Sequence, residues 1–414
     1  KEFAPVYKND EEVTRKPTGN LLAKRFKWDD VNKKQEDVRY SPVIGNNNQQ
    51  QQNFEHSQIH EQMQYNQQQM EQVYNFDDSR NTTDTKMKKI DIHTHILPSS
   101  LTGHRKQFGY NGWLELIHRS DGKVDMIKDG ELFRVVEPNC FNVDVRLKEM
   151  DENHIQMQVL STVPVLFSYW AKGEDALVLS EELNNHIADV CRTNPERFIG
   201  LGTVPLQSPE LAVRELRRCV EQLGLKGVQI GSHVNDWNLD NEQLDPFWKE
   251  VEQLDCCVFV HPWDMDMSSQ RHRDYWLPWL CAMPFETTSA ICSILMGGIL
   301  EKYPKLRLVF AHGGGQFPFT IGRIDHGHQC RPDLCAKKNS KTPSSYIGKL
   351  YVDSLAHDKR ALKYLVDIMG NECVMLGSDY PFPLGEDRPG QLIVETFEND
   401  ETLKEKLLYK NAQR

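Results

Sequence analysis

The 414-residue chain has ten cysteines but no C-x-x-C pair. The cysteines are scattered. Cys256 and Cys257 sit inside an apolar run, where a free thiol behaves as a small hydrophobe. This argues against a thiolate zinc site and a disulfide framework and fits a reducing, cytosolic setting. No stretch holds 18 consecutive apolar residues, so no membrane span is expected. The opening KEFAPVYKNDEEV lacks an apolar core and does not read as a secretory signal. Positive charge is also short. The formal net charge is −11, and no Lys/Arg run exceeds two or three residues. Nucleic acid and anionic membranes are therefore poor partners.

What is present divides unequally. Residues 1–86 are low-complexity and carry NNNQQQQ at 46–52 and EQMQYNQQQMEQ at 61–72. Such a segment buries too little apolar surface to offset its ordering entropy, and an extension without stable structure is expected. The alternative is a short helix around 54–75, although its apolar positions keep no heptad. Met87 opens MKKIDIHTH and is a candidate initiator in another transcript.

From 88 onward, short apolar, β-branched runs alternate with amphipathic stretches. Eight strands are expected at 88–95, 156–164, 197–205, 226–233, 256–261, 306–312, 348–354 and 372–379. Several are apolar over four consecutive residues, as strands buried on both faces are. Helices are expected at 174–193, 208–224, 241–254, 286–303 and 357–369. The stretch 208–224 opens on Ser208, with Glu210 and Leu211 in its first turn, and closes on Gly224. Eight strands alternating with helices predict an α/β fold, a (β/α)8 TIM barrel over 87–414, with 97–150 as a small insertion after the first strand. A doubly wound open sheet is the runner-up. No G-x-G-x-x-G or Walker loop follows any strand, which weakens it.

In such a barrel the chemistry lies at the C-terminal strand ends. Strand one ends in IDIHTHILP. Side chains two apart on a strand share a face, so His93 and His95 can converge, whereas on a helix they would diverge by about 200°. Taken alone, the pair also fits two histidines by chance at a strand end. Strand five ends in His261, strand six in His312 and strand eight in Asp379. Any one of these could be a hydrogen-bonded rim residue, but together they form a shell of imidazoles and a carboxylate. Such a shell suits one divalent ion, Zn²⁺ first, with a position left for water of lowered pKa. His312, followed by three glycines, is the better candidate for the proton-transferring base. On the residues alone, His312 as ligand with His261 as base remains open.

The stretches IDIHTHILP, GVQIGSHVNDW, FVHPWDM, YWLPWL, FAHGGG, FPFTIGRI and LGSDYPFPLGE, in this order, resemble the amidohydrolase superfamily. More narrowly, they resemble its aminocarboxymuconate semialdehyde decarboxylase family. The match runs from about Lys88 to the C-terminus. It implies a zinc-dependent, oxygen-independent decarboxylase of the tryptophan–kynurenine route, acting on a small dicarboxylate semialdehyde, with one Zn²⁺ per subunit and no organic cofactor. It implies His93, His95, His261 and Asp379 as metal ligands and His312 as the catalytic histidine. It implies Arg134, Asp264, Met265 and Trp279 as substrate-binding residues. A homodimer would share Arg323 across its interface, with Arg331 assisting. Arg suits a carboxylate because its planar fork binds two oxygens at once. Without the resemblance, Arg134 reads as a solvated charge on a DG-turned hairpin and Arg323 as a helix-surface ion pair. Trp263, Trp276 and Trp279 read as packing residues.

Two departures are visible. Many superfamily members bridge two metals with a modified lysine at the end of strand four. Here that strand, KGVQIGSH, has Lys226 at its start, so a single metal is expected. The chain ends at KNAQR, where the family continues with an apolar segment, and the expected consequence falls on dimer packing. The competing functions are a hydrolase of the same barrel class, acting on an amide or lactone, and a catalytically silent scaffold recruiting partners through its Gln-rich arm.

Overall fold

The computed structural model describes residues 87–265 and 274–414. The expected Gln-rich extension, and the alternative helix within it, lie outside the described residues. The strands are β1 (Ile90–Ile96), β2 (Leu114–His118), β3 (Val124–Lys128), β4 (Glu131–Val136), β5 (Met157–Thr162), β6 (Phe198–Gly200), β7 (Gly227–Gly231), β8 (His233–Val234), β9 (Trp237–Asn238), β10 (Cys257–His261), β11 (Arg307–Phe310), β12 (Tyr351–Asp353) and β13 (Val374–Met375). Each of the eight apolar runs contains a strand.

Pairing among those eight is parallel, in the orders β1-β5-β6 and β7-β10-β11-β12-β13. Further bonds join the edges. Gly202 donates to the Gly227 carbonyl at 2.9 Å and accepts from the Gln229 amide at 2.8 Å. At the other edge, the Ile92 amide donates to Leu376 O at 2.9 Å and the His95 amide to Tyr380 O at 2.8 Å. Thr94 thus bridges Tyr380, as Gly202 bridges Val228.

Between these strands run helices whose apolar faces follow the 3.6-residue period. Helix Gly173–Thr193 buries Ala176, Leu177, Ser180, Leu183, Asn184 and Ile187. The stretch opening at Ser208 differs in detail. Ser208 stands at the N-cap, but its hydroxyl makes no cap bond. Pro209–Arg217 is α-helical, and Arg218–Gln222 is a wider π turn. Gly224 follows at φ 73°, a left-handed conformation that costs glycine little. One helical stretch, Pro278–Met296, reaches a mean hydropathy of 1.3 over a length that could cross a membrane. Unbroken apolar runs gave no sign of it. Ala290, Ile291, Ile294 and Leu295 place its inner face in the main core, while Leu280 and Phe285 leave its outer face exposed.

Two features position the site. A small apolar cluster of Ile92, Leu201, Phe259, Val309, Ala311 and Met375 fills the space among the strands. Between β1 and β5 the chain makes an antiparallel meander, β2-β3-β4. Its tight turn, Asp129 at φ 56° and Gly130 at φ 85°, has the two positive φ values that a DG hairpin needs. This turn sets the direction of β4 and so of Arg134.

Candidate metal centre

His93 and His95 share one face of β1, as alternation on a strand requires. The β10 end supplies His261, the turn after β11 supplies His312, and the loop after β13 supplies Asp379. Backbone bonds lock two of these elements together, for the Asp379 amide donates to the His93 carbonyl at 2.9 Å. The His93 ring stands edge-on to Phe259, with centroids 4.9 Å apart, so the apolar cluster floors the site.

Three imidazoles are anchored through Nδ1. His93 Nδ1 lies 2.7 Å from Asp353 Oδ2, His95 Nδ1 3.0 Å from the Thr162 carbonyl and His261 Nδ1 2.7 Å from the Pro262 carbonyl. Each acceptor demands a proton on Nδ1, which leaves a lone pair on Nε2. The His93 and His95 Nε2 atoms are then 3.2 Å apart. Asp379 Oδ1 lies 3.0 Å from His95 Nε2 and 3.3 Å from His93 Nε2. His261 Nε2 is buried and has no hydrogen-bond partner among the described residues. Lone pairs meeting at these separations repel unless a cation sits among them. Ligands about 2.0–2.1 Å from a zinc ion stand about 3–3.5 Å from one another. The residues therefore fit a divalent ion.

Electrostatics agrees. Burial, helped by the neighbouring imidazoles, pushes His261 well below its ordinary value, and burial also lowers His95, so both favour the neutral form that ligates. Burial opposes the His93 cation too, yet the Asp379 and Asp353 carboxylates raise its pKa to about 10. Burial works against the Asp379 carboxylate, but His93 and the other imidazoles hold it well below the usual range. The centre favours positive charge at its middle, a demand that a metal ion meets as well as a proton.

His312 differs from the other three. Its Nε2 is 3.7 Å from Asp379 Oδ2, its side chain is 15% exposed, and its Nδ1 has no partner among the described residues. Yet the ligating atoms of His93, His261, His312 and Asp379 all lie within 4.8 Å of one another, a grouping that includes His312 and leaves out His95. Proximity alone thus does not separate the two candidate roles of His312.

The expected substrate residues fare unequally. Arg134 reaches the centre. Its guanidinium lies 5.0 Å from the Phe382 ring centroid, and that ring lies 5.6 Å from His95. Burial lowers the Arg134 pKa, and the Asp379 charge opposes that shift. Asp264 is exposed at φ 42°, and Met265 beside it is half-buried. Trp279 is half-buried and packs on Trp276 at 5.8 Å. Trp263 is a core residue, donating from its indole to the His233 carbonyl at 2.8 Å. Arg323 is exposed on helix Phe317–Cys330. Arg331 is exposed on the surface beyond that helix. Its fork is taken by Asp333 at 2.9 and 2.6 Å on the surface, so within this chain it is not directed at the centre.

Sequence reasoning missed several supporting residues. Asp353, at the end of GKLYVDS, anchors His93. Asp91, two before His93, accepts from the Ser378 amide at 3.0 Å and ties β1 to the Asp379 loop. Buried Arg146 donates to the His95 carbonyl and stacks on Tyr380 at 4.7 Å. Asp353 was visible as another strand-end carboxylate. Arg146 had no such signal.

An amidohydrolase family model matches residues 90–414. The chain is 54% identical over 324 residues to 2-amino-3-carboxymuconate-6-semialdehyde decarboxylase from Dictyostelium discoideum, covering 78% of this chain and 90% of that protein. The chain belongs to this decarboxylase family of amidohydrolases. The Caenorhabditis elegans enzyme of the same name is 41% identical, with 79% of this chain and 94% of that protein covered. A dihydroxybenzoic acid decarboxylase from Polaromonas, solved with bound manganese and an inhibitor, superposes with a TM-score of 0.64 at 24% identity. That alignment covers 79% of this chain and 96% of the solved one, and it shows a shared fold. Membership makes the chain a metal-dependent carboxy-lyase.

Proposed function

We propose that the protein decarboxylates 2-amino-3-carboxymuconate 6-semialdehyde to 2-aminomuconate 6-semialdehyde in the cytosol, within tryptophan–kynurenine catabolism. One zinc per chain is held by His93, His95, His261 and Asp379. The observation that carries this reading is the pairing of two features. Three Nδ1-anchored imidazoles converge on one carboxylate, and across Phe382 stands Arg134, a cation with no carboxylate partner among the described residues.

Zinc bound there supplies a Lewis acid and a water of lowered pKa. The chain's own residues do the rest. Arg134 takes a substrate carboxylate in its fork, with Phe382 stacked beneath the guanidinium. The departing carboxylate leaves as CO₂ when its C–C bond breaks, and the carbon it leaves must gain a proton. His312, whose Nδ1 is untied and whose ring is partly exposed, is the group free to hold and move that proton. Arg323 of a second copy completes the carboxylate pocket in a homodimer. Phe285 and Phe319, 57% and 82% exposed, supply apolar surface for that contact. We infer too that the eight parallel strands close into one (β/α)8 barrel, with 97–150 as an insertion after its first strand. The Gly202–Val228 and Thr94–Tyr380 bridges support this.

The test is metal analysis of the purified full-length chain, followed by the ultraviolet absorbance of the semialdehyde with CO₂ measured in parallel. The expected result is one zinc per chain and one CO₂ per substrate consumed. Protein without stoichiometric metal, or substrate consumed without CO₂, overturns the proposal.

A further inference from the structure

Asp353 ends β12 with no exposed surface. Its Oδ2 accepts from His93 Nδ1 at 2.7 Å and from the His312 amide at 2.8 Å. Its Oδ1 accepts from the Gly313 amide at 2.7 Å and the Leu355 amide at 3.1 Å. Four donors fill the lone-pair sites of one carboxylate. His312 and Gly313 are consecutive left-handed residues, at φ 55° and 61°. Such a turn aims successive N–H groups into one concavity, a nest for an anion. A non-glycine residue holds that conformation only where its surroundings impose it. The other two anchored imidazoles bond to backbone carbonyls, so Asp353 is the one carboxylate among the three Nδ1 acceptors.

We infer that Asp353 is a positioning residue: one side chain both turns His93 Nε2 toward the centre and fixes the turn that places His312. The two functional histidines therefore move together with β12. The inference rests on the proposed roles of His93 as ligand and His312 as proton carrier. Asn at 353 keeps the shape but replaces one oxygen by an NH₂ group, which cannot accept. Facing His93, that group favours the opposite tautomer and puts a hydrogen on Nε2, where the metal bonds. A triad whose buried Asp becomes Asn fails in this way. Facing the Gly313 amide instead, it loosens the His312 turn.

The experiment titrates metal-free wild type, Asp353→Asn and Asp353→Glu with cobalt(II), followed by visible absorbance, and then measures kcat and KM at saturating zinc. The expected result is cobalt affinity lower by about 10- to 100-fold in Asp353→Asn. Asp353→Glu, which keeps both acceptor oxygens, should lie between Asn and wild type. Metal-saturated Asp353→Asn should lose kcat, with KM near wild type. Thermal melting of the metal-free proteins reads structural damage separately. Wild-type cobalt affinity and wild-type kcat in Asp353→Asn overturn the inference and leave the proposed function standing. A wild type that binds no metal overturns both. If both variants fail to fold, the ¹⁵N-histidine spectrum of zinc-loaded wild type decides. A carboxylate-bonded Nδ1 proton on His93 supports the inference, and its absence overturns it.

Discussion

His93, His95 and His261 are buried and each is tied at Nδ1, whereas the rim residues Asp264, Trp279 and Arg323 lie exposed or half-exposed with no bond to the centre. The inner residues come from strand ends that hydrogen bonds hold in register. The rim residues come from loops and a helix surface outside those strands. A metal needs several ligands fixed within a few tenths of an ångström, and strand ends deliver that. Substrate carboxylates tolerate longer, more mobile arms, and one arm can come from another copy. The inner centre is therefore complete in one chain, while the carboxylate pocket as proposed draws Arg323 from a second copy.

His312 lies on the boundary between the two regions, and altering it breaks the comparison most severely. His312→Ala is expected to lower kcat by about 10²- to 10⁴-fold, the usual worth of a positioned acid–base group. Zinc content should stay near one per chain, measured by metal analysis on the same sample. Loss of the metal instead moves His312 into the inner set, as its mutual proximity to His93, His261 and Asp379 allows.

The inner region was legible because its signals are local. HxH on a strand obeys the alternation of side chains, and apolar runs ending in His or Asp mark each strand end. All eight runs contain strands, and the five expected centre residues lie together. The supporting shell was less legible because it depends on pairs far apart in the chain. Asp353 meets His93 across 260 positions, and Asp91 meets Ser378 across 287. Arg146 reaches His95 from the helix that follows the meander, and neither composition nor periodicity marks it. At the rim, the assisting role expected of Arg331 came with the family resemblance and concerns a second copy, while within this chain its fork is bound by a neighbour. Its partner Asp333, two residues on, was there to be read as a local ion pair.

Arg134 sharpens the contrast from the rim side. Arg134→Met keeps much of the aliphatic packing and removes the fork. Each hydrogen bond to a charged group contributes about 1.5–3 kcal/mol, so kcat/KM should fall by about 10- to 150-fold. Most of the change should appear in KM, with zinc content unaltered, because the role proposed for Arg134 is to bind without reacting. A fall in kcat alone, read from steady-state kinetics, would mean that Arg134 acts in the bond-breaking step instead.

The two exposed arginines carry the smallest expected effects on a chain taken by itself, and they separate the rim into what one chain supplies and what a second copy must. Arg331→Ala removes a surface pair with Asp333. Exposed pairs are worth about 0.2–1 kcal/mol, so thermal stability should barely move and kcat/KM should stay near wild type. Arg323, also exposed but unpaired among the described residues, should behave otherwise. Arg323→Ala alone should lose substrate affinity. Mixed with His312→Ala subunits, it should regain activity, because one of the two sites in each mixed dimer then has an intact His312 from one chain and an intact Arg323 from the other. Absence of rescue would confine the pocket to one chain. A deficit in Arg331→Ala with none in Arg323→Ala would exchange the two arginines in the site and require the Asp333 pair to open when substrate binds.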